Sequence, residues 1–166
     1  RGRMSQHAQV RDQGQGREFV LVSPVDKPDD GTQGGQNSSQ ADVSEITFTQ
    51  KDVRELQLAK GAMRTGVQVL LAKNHVAEDE IDQLVIAGAF GTYIDVASAQ
   101  TIGMLPGLPK DRIRQVGNAA GMGAKMALIS MSARAEAQQL ARKIGYVELG
   151  TIPDFATMFA RATYLE

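Results

Sequence analysis

The sequence predicts an α/β domain with a small, mostly parallel sheet between flanking helices. Leu84–Ala87 is a short apolar run without alternation, which is typical of a strand that is covered on both faces. Ile113–Val116 is the next candidate for a buried strand. Each segment is followed by a glycine, Gly88 or Gly117, and then by a helical pattern. This repeated order of strand, glycine and helix favours parallel strands joined by helices.

The first 44 residues predict a mobile tail, an edge strand and a linker rather than a packed core. Residues 1–18 are polar, contain four arginines and show no apolar period. A strand is expected at residues 19–22 and another at residues 45–48, paired as a hairpin. Residues 23–44 between them are rich in Gly, Asp, Gln and Ser, which predicts a mobile connection.

A long helix is predicted from residue 49 to residue 71. Thr49 and Asp52 have the spacing of a capping box at its start. On one face, Gln57, Lys60 and Arg64 are either solvated side chains or, for Lys60 or Arg64, contacts to a phosphate or a base edge. Another face carries one apolar stripe at steps of three and four residues: Val53, Leu56, Ala59, Met63, Val67 and Leu70.

Two helices are predicted after the glycine turns. Asp95 is expected to cap a short helix over residues 96–103, which Pro106 and Pro109 keep from continuing. Asn118 is expected to cap the next helix. The small residues of that helix allow another backbone to lie close, so its glycines favour a packing role.

The last part of the chain predicts two helices with a strand between them. A helix over residues 133–143 is expected to end with Gly145 at its C′ position. Residues 146–149 are predicted to form the strand. The helix that begins at Thr151 carries an apolar stripe that indicates a core or an interface rather than a cofactor site: Phe155, Met158, Phe159 and Ala162.

Composition and charge exclude several classes of function. A hydrophobic content of 42% is ordinary for a globular protein, and a net charge of −1 provides no basic field for nucleic acid or an anionic membrane. The chain has no cysteine, so it holds no disulfide or cysteine-ligated cluster of its own. His7 and His75 are far apart, so neither a metal site nor a histidine triad is predicted. Without a membrane-length apolar segment or a signal peptide, we expect a cytoplasmic protein.

The turn after Leu84–Ala87 is the candidate binding site. Gly88 and Gly91 mark the carboxyl end of this strand, the edge at which ligands bind in open α/β sheets. A glycine there permits a positive φ or a close approach of the backbone to a ligand. The alternative is that the two glycines only close the turn and pack the helix on the strand.

Five sequence blocks, taken together, resemble the carboxy-terminal region of the reductive activators of corrinoid proteins. The blocks lie at residues 46–52, 57–62, 87–95, 102–106 and 116–124, in the order of that family, and the resemblance covers residues 46–164. It implies an actin-like, ribonuclease H-like ATPase domain of the acetate kinase, Hsp70 and actin superfamily, here called the ASKHA superfamily. Residues 45–164 would form its C-terminal subdomain, and residues 165–166 are a possible tag remnant.

The resemblance also implies a nucleotide site. By position, the turn of Gly88, Ala89, Phe90, Gly91 and Thr92 corresponds to the adenosine-binding turn of the superfamily, and Lys60 is the side chain expected nearby. No catalytic residue and no metal ligand is predicted. The phosphate-binding hairpins of the superfamily have no counterpart in this sequence, so the isolated chain is predicted to be inactive.

The activity implied for the longer parent protein is the ATP-dependent reduction of cob(II)amide to cob(I)amide on a corrinoid methyl carrier. Its cofactors would be ATP with magnesium and an iron–sulfur cluster held outside this chain. Its partners would be the upstream half of the same ATPase domain and the corrinoid protein.

Two other functions stay open at this point. One is an interaction domain that docks a partner through the stripe of residues 155–162 and the face of Gly123, without binding nucleotide. The other is a stand-alone Rossmann-type cofactor binder. The turn of Gly88 lacks the three-glycine fingerprint of that class and an acidic ribose partner, which counts against it.

Overall fold

The computed structural model describes residues 2–14, 16–23 and 45–165. The chain divides into two compact units, Arg1–Leu58 and Ala59–Glu166. Most of the predicted linker, residues 24–44, lies outside the described residues. The predicted domain boundaries after residues 44 and 164 stay predictions.

The first unit contains a three-stranded antiparallel sheet. Its strands are β1 (Val10–Gln13), β2 (Gly16–Val22) and β3 (Ile46–Thr49), in the order β1-β2-β3. Phe19 of β2 lies opposite Phe48 of β3, so the predicted pairing of these two segments as a hairpin is confirmed.

The prediction that residues 1–18 contain no regular structure is wrong for β1 and the start of β2. Polar cross-strand contacts accompany this part of the sheet: Arg11 Nε lies 2.5 Å from Glu18 Oε1, and Arg11 Nη2 lies 2.7 Å from Glu45 Oε2. Hydrogen bonds to Glu45 and then Glu18 raise the pKa of Arg11 above its ordinary value. Because charged side chains make these cross-strand contacts, this part of the sequence shows no regular alternation of apolar and polar residues.

Helix α1 (Gln50–Asn74) has the capping box that the sequence predicts, and it extends three residues past the predicted end. The backbone N–H of Thr49 donates to Asp52 Oδ2 at 2.8 Å, and the N–H of Asp52 donates to Thr49 Oγ1 at 3.2 Å. The chain leaves the helix at His75, whose φ of 55° lies in the left-handed region.

The second unit contains a parallel pair of strands, β4 (Leu84–Ala87) and β5 (Ile113–Val116). Both strands are confirmed at the predicted bounds. The expected cover on both faces is wrong, because Ile86 is buried but Val85 is 51% exposed. Among the described residues, the helices Ala119–Ile129 and Met131–Lys143, the first two α-helices after β5, contain no buried residue, so they do not cover the pair.

The helices of the second unit follow the strands. After β4 come α2 (Phe90–Tyr93) and α3 (Val96–Thr101), and after β5 come α4 (Ala119–Ile129), α5 (Met131–Lys143) and α6 (Phe155–Ala162). Both predicted N-caps are confirmed. Asp95 Oδ1 accepts from the N–H of Ser98 at 2.7 Å, and Asn118 Oδ1 accepts from the N–H of Gly121 at 2.8 Å.

Two predictions near the end of the chain are wrong, and one is confirmed. Residues 146–149 form no strand, and a 3₁₀ turn occupies Leu149–Thr151 instead. Helix α5 ends at Lys143 with Ile144 as its C-cap, so Gly145 occupies the predicted C′ position. Helix α6 begins four residues later than Thr151, because Asp154 takes a left-handed conformation with a φ of 61°.

The core of the second unit is formed by α1, α3, α6 and the loop before β5. Gly61 in α1 faces α6 closely, since a Cβ at this position would lie 2.8 Å from Thr163 Cγ2 and 3.4 Å from Phe159 Cε2. The buried residues of this core include Thr65, Val69, Ala99, Met104, Leu105, Pro106, Leu108 and Ala162.

Candidate functional site

Two glycine turns lie beside each other at the carboxyl end of the β4–β5 pair. The register pairs Ala87 with Val116, so the turns that follow are neighbours. The backbone N–H of Gly88 donates to the carbonyl of Gly117 at 2.6 Å. This edge is the ligand-bearing edge of an open parallel sheet.

Gly88 allows the backbone conformation of its turn and leaves open space beside it. Its φ is +75°, which a residue with a side chain rarely adopts. A Cβ built at this position meets no heavy atom within 4 Å. A ligand can therefore approach the backbone here without displacing other groups.

Gly91 is required for packing. A Cβ at this position would lie 2.3 Å from the carbonyl oxygen of Ile86 and 3.3 Å from the backbone nitrogen of Gly117. These close contacts support the alternative for this glycine, that it packs the helix on the strand. The two glycines of the turn have different roles.

The outer side of the turn is apolar and aromatic. A shallow cavity of about 290 Å³ is lined by Ala89, Phe90, Tyr93 and Ile94. Phe90 is 52% exposed and Tyr93 is 85% exposed, so both rings present surface to solvent. An exposed aromatic ring beside an open backbone turn is suited to stacking with a planar base.

Tyr93 and Ile94 also line this cavity, although neither was predicted as a site residue. The signal was present in the spacing, because Tyr93 lies three residues after Phe90, and residues three apart share a face of a helix. Thr92, which was predicted, donates from its hydroxyl to the carbonyl of Gly88 at 3.5 Å.

Lys60 lies in a different cavity from the turn. The residue is 3% exposed, and its Nζ donates to the carbonyl of Tyr164. It lines a cavity of about 600 Å³ together with Arg64, Glu78 and Gly103. The structure thus brings the predicted residues 88–92 together but places Lys60 with another set of side chains.

The described residues provide no metal centre. No group of three or more His, Cys, Asp and Glu side chains in residues 2–14, 16–23 and 45–165 is arranged to hold a metal ion. Among the helices in this part of the chain, none is long and apolar enough to cross a bilayer.

The comparison with protein families identifies the chain. A model of the C-terminal domain of RACo, the ASKHA domain, matches residues 4–166. The chain belongs to this family. The match starts well before residue 46, where the resemblance in the sequence begins, and thus includes the antiparallel sheet of the first unit.

Relatives of this ASKHA domain are much longer than the chain itself. The corrinoid activation enzyme RamQ of Eubacterium limosum is 40% identical over 119 residues, which cover 72% of this chain and 20% of that protein. A Co(II) methylated amine-specific corrinoid protein reductase of Methanosarcina barkeri is 30% identical over 99 residues, covering 60% of this chain and 18% of that protein. The chain thus spans about a fifth of the length of these relatives.

A solved structure shares the fold of this ASKHA domain. It is described as a reductive activator for corrinoid, iron–sulfur protein, with a TM-score of 0.78 and 32% sequence identity. The match covers 95% of this chain and 23% of that one. The α/β fold predicted from the sequence is confirmed by this similarity.

Proposed function

We propose that the chain is the C-terminal ASKHA domain of a longer, ATP-dependent reductive activator of corrinoid proteins. The observation that carries this proposal is the family match across residues 4–166. The names of the relatives support it, since they describe a corrinoid activation enzyme and a corrinoid protein reductase. The partners of the domain are then the upstream half of the ATPase domain and a corrinoid protein, and the setting is cytoplasmic.

Within that activator, we assign the turn of residues 88–92 to the adenosine side of the nucleotide cleft. The open space beside Gly88 permits close approach, and the exposed rings of Phe90 and Tyr93 suit a planar base. ATP and magnesium supply the phosphoryl chemistry, and an iron–sulfur cluster elsewhere in the activator supplies electrons. The turn of this chain orients the base and excludes water from it.

A pair of tyrosines provides a matched test of the adenosine assignment. Tyr93 is 85% exposed and lines the turn cavity, whereas Tyr146 is 82% exposed and lies outside it. We expect Tyr93→Ala to weaken adenosine binding by roughly tenfold, because base–aromatic stacking contributes about 1–3 kcal/mol. Tyr146→Ala should leave the affinity unchanged in the same calorimetric titration.

Equal losses from the two tyrosine variants would contradict the assignment. An unchanged affinity in the Tyr93→Ala protein, with its unfolding temperature preserved, would contradict it as well. Adenosine itself is the correct probe, since it has no phosphate groups and reports only the base and ribose contacts.

The second candidate is an interaction domain that binds no nucleotide. The α6 stripe does not favour it, because Ala162 is buried and Phe159 lies against α1. The Gly123 face of α4 does favour it: a Cβ at Gly123 meets no atom within 4 Å, and Met122 and Met126 are exposed. An interaction domain would bind the upstream half of the ATPase domain with the same affinity in the absence and in the presence of saturating ATP. A domain that forms one side of the nucleotide cleft would bind that half more tightly when ATP is present.

A further inference from the structure

The 600 Å³ cavity that contains Lys60 is a second candidate site, and we call it the basic cavity. Its lining residues come from α1, from the segment before β4, from the end of α3 and the loop after it, and from α6. The glycine turns directly follow β4 and β5 and do not line it. It is lined by three basic side chains and one carboxylate, so it attracts anions. The residues used below are Lys60, Arg64, Glu78, Gln100, Gly103 and Arg161.

Arg64 has only part of its hydrogen-bonding capacity satisfied. Its Nη2 lies 2.6 Å from Glu78 Oε2, and the side chain is 21% exposed. Its Nη1 is buried and, among the described residues, has no hydrogen-bond partner. A buried donor without an acceptor is costly, so this nitrogen favours a ligand that brings an acceptor.

Lys60 places a buried charge next to the same cavity. Its Nζ donates to the carbonyl of Tyr164, which is a neutral acceptor. In the part of the chain that the structure describes, no carboxylate lies within 4.0 Å of this ammonium group. Buried charges are normally paired, so an anion in the cavity would complete the environment of Lys60.

The loop that forms the opposite wall is held in place by polar contacts. The side-chain amide of Gln100 donates to the carbonyls of Pro106 and Leu108, each at 2.8 Å. Gly103 has a φ of +70°, and a Cβ at this position would lie 3.4 Å from Lys60 Nζ. The glycine thus keeps a side chain away from the ammonium group.

We propose that the basic cavity binds a phosphate group. Arg64 offers its unpaired Nη1, Lys60 offers a buried ammonium group, and Arg161 adds a third positive charge at the rim. A phosphate dianion matches this set better than a carboxylate, because it brings two charges and more acceptor oxygens. This site does not depend on the adenosine assignment, which concerns the turn of residues 88–92.

Inorganic phosphate is the probe for this proposal. Amide shifts of the ¹⁵N-labelled chain should change saturably at residues 103–108 when phosphate replaces chloride at constant ionic strength. Arg161→Gln should weaken this binding by about tenfold, as expected for the loss of one charge-assisted contact. Lys110→Gln removes an exposed base outside the cavity and should leave the affinity unchanged.

Several outcomes would overturn the phosphate site. The first is that phosphate causes no saturable amide shifts, or that chloride alone causes the same shifts. The second is that Lys110→Gln weakens phosphate binding as much as Arg161→Gln does. The third is that acetate binds as tightly as phosphate. Phosphate shifts confined to residues 88–92 would also overturn it. Because adenosine reports on the turn and phosphate reports on the basic cavity, either assignment can fail without the other.

Discussion

At the scale of single residues, the two glycines of the turn show why spacing alone did not assign their roles. Gly88 has a positive φ and open space beside it, whereas Gly91 lies against the backbone of Ile86. Only the three-dimensional contacts separate these cases. The same holds for Lys60: its position on a helix was predicted from the sequence, but the cavity that it lines was not.

Gly91→Ala should destabilise the fold. The added Cβ would overlap the carbonyl oxygen of Ile86 at 2.3 Å, and the backbone must shift to relieve the contact. Overpacking of this kind costs about 1–3 kcal/mol. Urea unfolding followed by circular dichroism measures the change.

The matched control for Gly91→Ala is Gly123→Ala in α4. A Cβ at Gly123 meets no heavy atom within 4 Å. Alanine is the better helix former by about 1 kcal/mol, so this variant should be at least as stable as the original chain. A stable Gly91→Ala protein would show that the turn packs less tightly than described.

At the scale of secondary-structure elements, the predicted helices and parallel strands correspond closely to the observed ones. The capping side chains of Asp52, Asp95 and Asn118 make local contacts that the sequence encodes within three residues. Strand β1 was missed because ion pairs of Arg11 with Glu18 and with the distant Glu45 accompany it rather than an apolar pattern. The prediction of a strand at residues 146–149 was wrong because no described strand lies beside this segment to pair with it.

The capping box of α1 should make stability depend on pH. Hydrogen bonds from the Thr49 hydroxyl and then the Thr49 backbone N–H lower the pKa of Asp52 below its ordinary value of 3.8. A lowered folded-state pKa contributes stability that is present above 3.8 and is lost as the pH falls through the folded-state value. Asp52→Asn should therefore be less stable than the original chain at pH 7, with the difference decreasing as the pH falls below 3.8.

Thermal unfolding of both proteins across this range tests the role of Asp52. Asp111→Asn is a suitable control, since Asp111 is an exposed carboxylate outside the capping box. A stability difference between Asp52→Asn and the original chain that stays constant with pH would contradict the capping role.

At the scale of the whole molecule, the family could be recognised from the sequence, but the architecture of the first unit could not. The five blocks of the resemblance begin at residue 46, whereas the family match begins at residue 4. The missing part is the β1–β2 region, whose polar residues resemble a tail. The matching segments cover only 20% and 18% of the two relatives, so each relative contains much more than this domain.

The isolated chain should neither hydrolyse ATP nor reduce a corrinoid. It has no cysteine to hold an iron–sulfur cluster, and transfer of a phosphoryl group requires groups that grip the phosphates and the metal. A phosphate-release assay and the absorbance of the cobalt centre measure the two activities. Turnover by the pure chain that is abolished by a substitution within it would contradict this expectation.

The central claim, that residues 88–92 form the adenosine side of a nucleotide cleft, is tested most directly by a residue-resolved titration with adenosine. Half a cleft should bind weakly, with a dissociation constant on the order of 1 mM, or about −4 kcal/mol. We predict amide shifts centred on residues 88–93 and on the adjacent Gly117. Shifts confined to α4 or α6, or no shifts at saturating adenosine, would contradict the claim.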